Sequence, residues 1–191
     1  MNTAAYSHIE LMNPKLEIKY LSLETSRNRL LDELEGLDDE LLNTPPAAKK
    51  WSINQIIYHL VEVEKATTGY ISNKLQKKDS LRSSGFSNIL NSLLLKLALR
   101  SGRKFKAPAV VADVPETANL FKLRQQWDTT RYKLEDVLNE VPAHLMDKCL
   151  FKHPYAGPLS ITQTLSFLQD HFTHHERQIQ QIKKHLTKLP A

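Results

Sequence analysis

His171 and His175 stand four positions apart in the stretch Gln169-Asp170-His171-Phe172-Thr173-His174-His175-Glu176-Arg177-Gln178-Ile179. On a helix that spacing puts two imidazoles one turn apart on the same face. Apolar residues run through the same segment at Ile161, Leu165, Leu168, Phe172, Ile179, Ile182 and Leu186. Their steps alternate between three and four, except for one step of seven between Phe172 and Ile179. The position skipped is His175, so an imidazole stands where a bundle helix carries an apolar seam residue. His171 lies beside that seam, next to Leu168 and Phe172. Two inward imidazoles one turn apart are a partial metal site.

A third histidine strengthens this reading. His59 falls inside another helical stripe, formed by Ile53, Ile56, Ile57, Leu60, Val63 and Ile71. Burying three imidazoles separately costs desolvation and needs three hydrogen-bond solutions. One shared ion would satisfy all three. Of the neighbouring pair, His174 points about one hundred degrees away from His175 and lies off the seam. It is expected on an outer, solvated face with Gln181 and His185. The segment is not a zinc-protease helix, because Ile179 stands where the H-E-x-x-H motif needs its second histidine. Glu176 therefore reads as a surface charge. Gln55 lies four residues before His59 and Glu62 three after it, and either could orient its free ring nitrogen. Gln55 could equally serve only as a helix cap. His153 is a candidate for the pocket mouth or for shaping the turn with Pro154.

Competing chemistries are absent from the sequence. There is no Ser/His/Asp order, no Gly-rich phosphate loop and no pair of catalytic carboxylates. Cys149 is the single cysteine. It sits beside Leu150 and Phe151 and reads as packing rather than as a nucleophile.

The elements that must position the histidines are helical. Gly is scarce, with 5 residues, and the chain of 191 residues is one domain long enough to bury a full core. Residues 1–14 lack periodicity and are expected to be a mobile lead-in to a single domain over 15–191. A first helix is predicted from about Lys15 to Glu35, closed by Gly36, followed by a short turn of helix at Asp38 to Leu42. Ser52 and Gln55 form a capping box that opens the helix of His59, which runs to about Leu75. Ile89 to Leu99 is an apolar block, a third helix or its first part. Ser101 to Pro115 reads as a long loop. A fourth long helix spans about Glu116 to Val141 and ends at Pro142. A short hairpin is conceivable near Cys149 to Tyr155. Ser160 and Gln163 form a second capping box, which opens the helix of His171 and His175.

The net charge is +5, with basic residues concentrated at Lys74, Lys77, Lys78, Arg82, Lys96, Arg100, Arg103, Lys104 and Lys106. A basic stretch can bind phosphates or acidic lipid. No aromatic platform or nucleic-acid motif accompanies it, so it is read as solvated, with no nucleic-acid or membrane partner. No run of about 18 apolar residues occurs and no signal-peptide core is visible. With a lone cysteine, a cytoplasmic location is expected.

The pattern Trp51-Ser52-Ile53-x-Gln55-Ile56-Ile57-x-His59-Leu60 resembles the second-helix motif of the DinB/YfiT-like superfamily. The stretch His153-Pro154-x-x-Gly157-Pro158-Leu159-Ser160, followed by His171-x-x-His174-His175-x-x-Gln178-Ile179, resembles its C-terminal motif. The likeness covers roughly Lys15 to Leu186. It implies an all-α four-helix bundle with a long crossover connection, often a homodimer. It also implies a divalent metal held by three histidines, matching His59, His171 and His175, and makes Gln178 a candidate for the pocket or for orienting a ligand. Zinc, nickel or iron is the ion expected. Members with assigned activity include thiol-dependent transferases and isomerases, and many others are called metal-dependent hydrolases. Three nitrogens leave a coordination position open to water or to a substrate thiolate. The expected function is therefore hydrolysis of a small molecule, or its transfer to or from a low-molecular-weight thiol. The alternatives are a non-catalytic metal-binding bundle with a structural or stress-related role and, further off, a basic-surface binder of nucleic acid or membrane.

Overall fold

The computed structural model describes residues 12–77, 81–101 and 113–186. The expected N-terminal lead-in lies almost wholly outside them, as does most of the Ser101 to Pro115 loop. Six α-helices are seen in these residues: α1 (Pro14–Leu34), α2 (Asp39–Asn43), α3 (Ile53–Gln76), α4 (Phe86–Arg100), α5 (Leu120–Asn139) and α6 (Ile161–Leu186). A two-stranded antiparallel hairpin, β1 (Cys149–His153) and β2 (Gly157–Ser160), precedes α6.

Most of these helices begin where a side chain takes up an orphan amide. Asn13 accepts from Lys15 N ahead of Pro14 at the first turn, and Asp38 accepts from Glu40 N. Ser52 and Gln55 close their reciprocal capping box at α3. Ser160 and Gln163 do the same at α6. α5 starts at Leu120, four residues later than the sequence suggests. Asn119 caps it through Lys122 N. Asn119 itself is extended, and the Ala118 carbonyl before it is gripped by the amides of Asn43 and Asn54.

Side-chain pairs give the bundle its directions. Along α1 and α6, Lys19 meets Ser166, Ser22 meets Gln169 and Arg29 meets Glu176, so both indices rise and these helices run parallel. Between α1 and α5, Tyr20 meets Glu135 and Asp32 meets Arg124, so they run antiparallel. Between α3 and α5, Asn54 reaches Ala118 and Glu64 reaches Arg131, and both indices rise again. The bundle of α1, α3, α5 and α6 is therefore up-down-down-up. Two successive bundle helices pointing the same way require a long crossover. α4 supplies it, lying along α6 with Asn88 bonded to the Pro158 carbonyl near its start and the Leu99 carbonyl bonded to His174 at its end.

The core divides into two apolar clusters along the bundle axis. One gathers Leu16, Leu23, Leu134, Leu150, Leu159 and Leu165 around the hairpin end. The other gathers Leu30, Leu31, Ile53, Ile57, Trp127, Phe172 and Ile179. A buried ionic layer also crosses the bundle. Arg131, 2% exposed, ion-pairs with Glu64 and with Glu24, and Trp127 Nε1–H donates to Glu64 at 3.2 Å. Arg27 joins through Glu24 and Asp128, both at 3.0 Å. Such a layer survives burial because each charge meets an opposite one. The hairpin turns through Gly157, whose φ of +73° lies in the left-handed region where a side chain is disfavoured.

Candidate metal centre

α3 and α6 together place the three histidines. α6 carries His175 into the seam as the step pattern predicts, and the side chain is buried, as is His59 on α3. His171 is half-buried beside them. The ring of His59 lies 5.3 Å from that of His171 and 5.0 Å from that of His175, and the latter two are 4.6 Å apart. Each offers a ring nitrogen, and those atoms all lie within 4.8 Å of one another. Nε2 of His171 and Nε2 of His175 are 3.2 Å apart. Two nitrogens on a tetrahedral zinc at about 2.0–2.1 Å stand about 3.3 Å apart, so the spacing fits a shared ion. Among the described residues no fourth His, Cys, Asp or Glu joins this group.

The electrostatics suit ligation, which needs neutral imidazole. Desolvation holds His171 well below the ordinary histidine range, and the neighbouring histidines add to the effect. His175 is lowered to about 3, first by desolvation and then by His59 and His174. Both are free bases at neutral pH. Two aromatic rings wall the group: Trp51 stands 5.1 Å from His59, and Phe167 stands 5.5 Å from His171.

The surrounding candidates divide. Gln178 touches the centre, its Oε1 accepting from Nδ1–H of His175 at 2.9 Å. Gln55 is engaged at the start of α3: its side-chain carbonyl closes the capping box and its amide donates to the Pro115 carbonyl at 2.9 Å. Glu62 pairs with Lys65 at 3.1 Å, on the side of α3 that faces α5. His153 shapes the turn, its Nδ1 accepting from the amides of Tyr155 and Ala156 at 3.2 and 3.1 Å. It also packs 4.5 Å from Phe167, so it backs one aromatic wall from behind. Burial pushes its pKa down to about 4. Cys149 has its thiol pKa raised by burial, which disfavours the thiolate.

His174 departs from the sequence expectation in one respect. It stays out of the converging group, but it is not on a solvated face. Its Nδ1–H donates to the Leu99 carbonyl at 2.9 Å, and its Nε2 accepts from the Gln178 amide at 3.0 Å. The available signal was the spacing of Gln178, which is three residues from His175 and four from His174 and so reaches both on a helix.

An up-down-down-up bundle with a helical crossover and an inward three-histidine cluster defines a class of small all-α proteins with a polar centre built between facing helices. Residues 22–179 match the DinB superfamily, and the chain belongs to it. It is also similar to the uncharacterized protein YuaE of Bacillus subtilis, strain 168, at 24% identity over 157 residues, covering 82% of this chain and 92% of that protein. No solved structure matches the chain significantly.

Proposed function

We propose that this chain is a metal-dependent enzyme acting on a small molecule at His59, His171 and His175. The reaction is either hydrolysis or transfer to or from a low-molecular-weight thiol. The observation supporting this is a converging group of three imidazole nitrogen donors, with His171 and His175 held neutral by burial and no fourth protein ligand among the described residues. A saturated set of four would favour a structural role instead. A divalent ion held there, whether zinc, nickel or iron, would supply a Lewis acid with open positions, at which water is acidified or a thiol binds as thiolate. The chain's own residues bring three ring nitrogens within 4.8 Å of one another and line them with Trp51 and Phe167, which lower the local polarity and strengthen charge interactions there.

In the same reading the protein works in the cytoplasm as a homodimer. The support for the dimer is the outer face of α4, where Phe86, Ile89, Leu90, Leu93, Leu94 and Leu97 are each 45–81% exposed. Spaced three and four apart, they form one apolar helical stripe, the kind of contiguous exposed patch that marks an interaction surface. No described helix is long and apolar enough to cross a membrane.

The test is metal analysis of protein purified without an affinity tag, followed by hydrolysis and thiol-transfer screens with and without chelator. The expected result is about one ion per chain and a turnover that chelation and His175→Ala both abolish. A tightly held ion with full protein coordination and no turnover would support the non-catalytic bundle.

A further inference from the structure

The chain of hydrogen bonds behind His175 has a direction, and one backbone atom sets it. A glutamine amide between two imidazoles is symmetric in principle: it can donate to either ring and accept from the other. Gln178 sits in that position, 2.9 Å from Nδ1 of His175 and 3.0 Å from Nε2 of His174. The far nitrogen of His174 breaks the symmetry. It lies 2.9 Å from the Leu99 carbonyl oxygen, which can only accept. His174 must therefore carry its proton on Nδ1 and, when neutral, expose a lone pair at Nε2. Gln178 then turns its amide N–H toward His174 and its oxygen toward His175. His175 is left protonated on Nδ1, with its Nε2 lone pair facing Nε2 of His171. The flipped arrangement would set a His174 lone pair against the Leu99 carbonyl.

Leu99 O is among the last carbonyls of α4, where the intrahelical ladder ends and the Ser101 cap takes over. α6 supplies side chains to this end: His174 to Leu99 O, and Arg177 to Arg100 O at 3.4 Å. Arg100 returns an ion pair to Asp170 at 3.6 Å.

We propose that His174 and Gln178 are positioning residues that lock His175 in its Nε2-ligating tautomer, with the C-terminal end of α4 as the reference point. The crossover helix thereby sets the donor atom of His175 through His174 and Gln178. The metal-affinity consequence rests on the three-histidine reading above, whereas the tautomer itself does not.

The experiment reads both. The histidine tautomers of the metal-free protein are measured at neutral pH by ¹H–¹⁵N correlation spectroscopy, and zinc affinity by competition with a chromophoric chelator. Wild type is expected to show His175 protonated on Nδ1. Gln178→Leu and His174→Phe should each redistribute the His175 proton toward Nε2 and weaken zinc binding about 10- to 100-fold. Gln178→Glu supplies an acceptor that cannot flip, so it should keep the Nδ1–H tautomer. In that background, adding His174→Phe should change neither readout. This rescue separates positioning from general loss of packing, and circular dichroism confirms that each variant is folded. A His175 tautomer unaltered in both Gln178→Leu and His174→Phe would overturn the proposal. So would a His174→Phe effect undiminished by Gln178→Glu. Wild-type protein with the expected tautomer but no zinc affinity would instead count against the metal reading and leave the relay standing.

Discussion

His175 fills a seam position with a polar ring, and its burial couples folding to pH. Its folded pKa of about 3 lies below the ordinary value of 6.5, with burial as the main cause. Above pH 6.5 both folded and unfolded forms are neutral there and the stability is fully present. As pH falls, the unfolded chain takes up the proton first, and stability drains until the folded form protonates near 3. The metal-free protein should lose up to about 3 kcal/mol per such imidazole between pH 6.5 and about 4. Urea midpoints measured across that range should fall with pH, and His175→Leu should flatten the slope. The gap in the seam made His175 legible from sequence. The same signal was present at Arg27, which interrupts the stripe of Leu16, Tyr20, Leu23 and Leu30, and at Arg131 between Trp127 and Leu134. Arginine, like other charged residues, is rarely buried unless paired, and the partners, Glu24, Glu64 and Asp128, lie on three different helices. Only the Arg27–Glu24 pair, three residues apart on α1, is local; the contacts that join Glu64, Asp128 and Arg131 across helices could be read only from the assembled bundle.

At the scale of elements, local chemistry carried far. Both capping boxes, the proline at the start of α1 and the seam of α6 follow from residues a few positions apart. The start of α5 did not, because Ala118 is held by Asn43 and Asn54, 75 and 64 residues away in sequence. The isolated bridge between Ser83 and Lys148 is equally non-local. The ionic layer that joins α1, α3 and α5 gives a sharper test of how these helices hold together. Glu64→Leu leaves Arg131 buried with only Glu24 as partner and should cost about 3–5 kcal/mol. Glu64→Leu with Arg131→Met removes both charges and should recover much of that loss. Chemical denaturation of the two singles and the double closes the cycle.

The whole molecule is a bundle whose crossover places α4 along α6, so that one end of α4 meets His174 while its outer face stays exposed. The up-down-down-up order follows from which side chains meet, and a sequence that shows helix lengths alone does not reveal it. If the α4 stripe is the dimer contact, Leu93→Glu and Leu97→Glu should yield a single-chain mass by light scattering where wild type gives twice that mass. The metal affinity of those variants should be unchanged, because the face lies away from His59. The account as a whole rests on His59, His171 and His175 sharing one ion. The most direct test is titration of tag-free, metal-free protein with cobalt(II), followed by its visible absorption, in wild type and in His59→Ala. Wild type should saturate at one equivalent per chain with the intense bands of a four- or five-coordinate site, and His59→Ala, which removes the only ligand from α3, should lose both the bands and the tight binding. Cobalt binding of the same affinity and spectrum in His59→Ala, or no saturable binding in wild type, would contradict it.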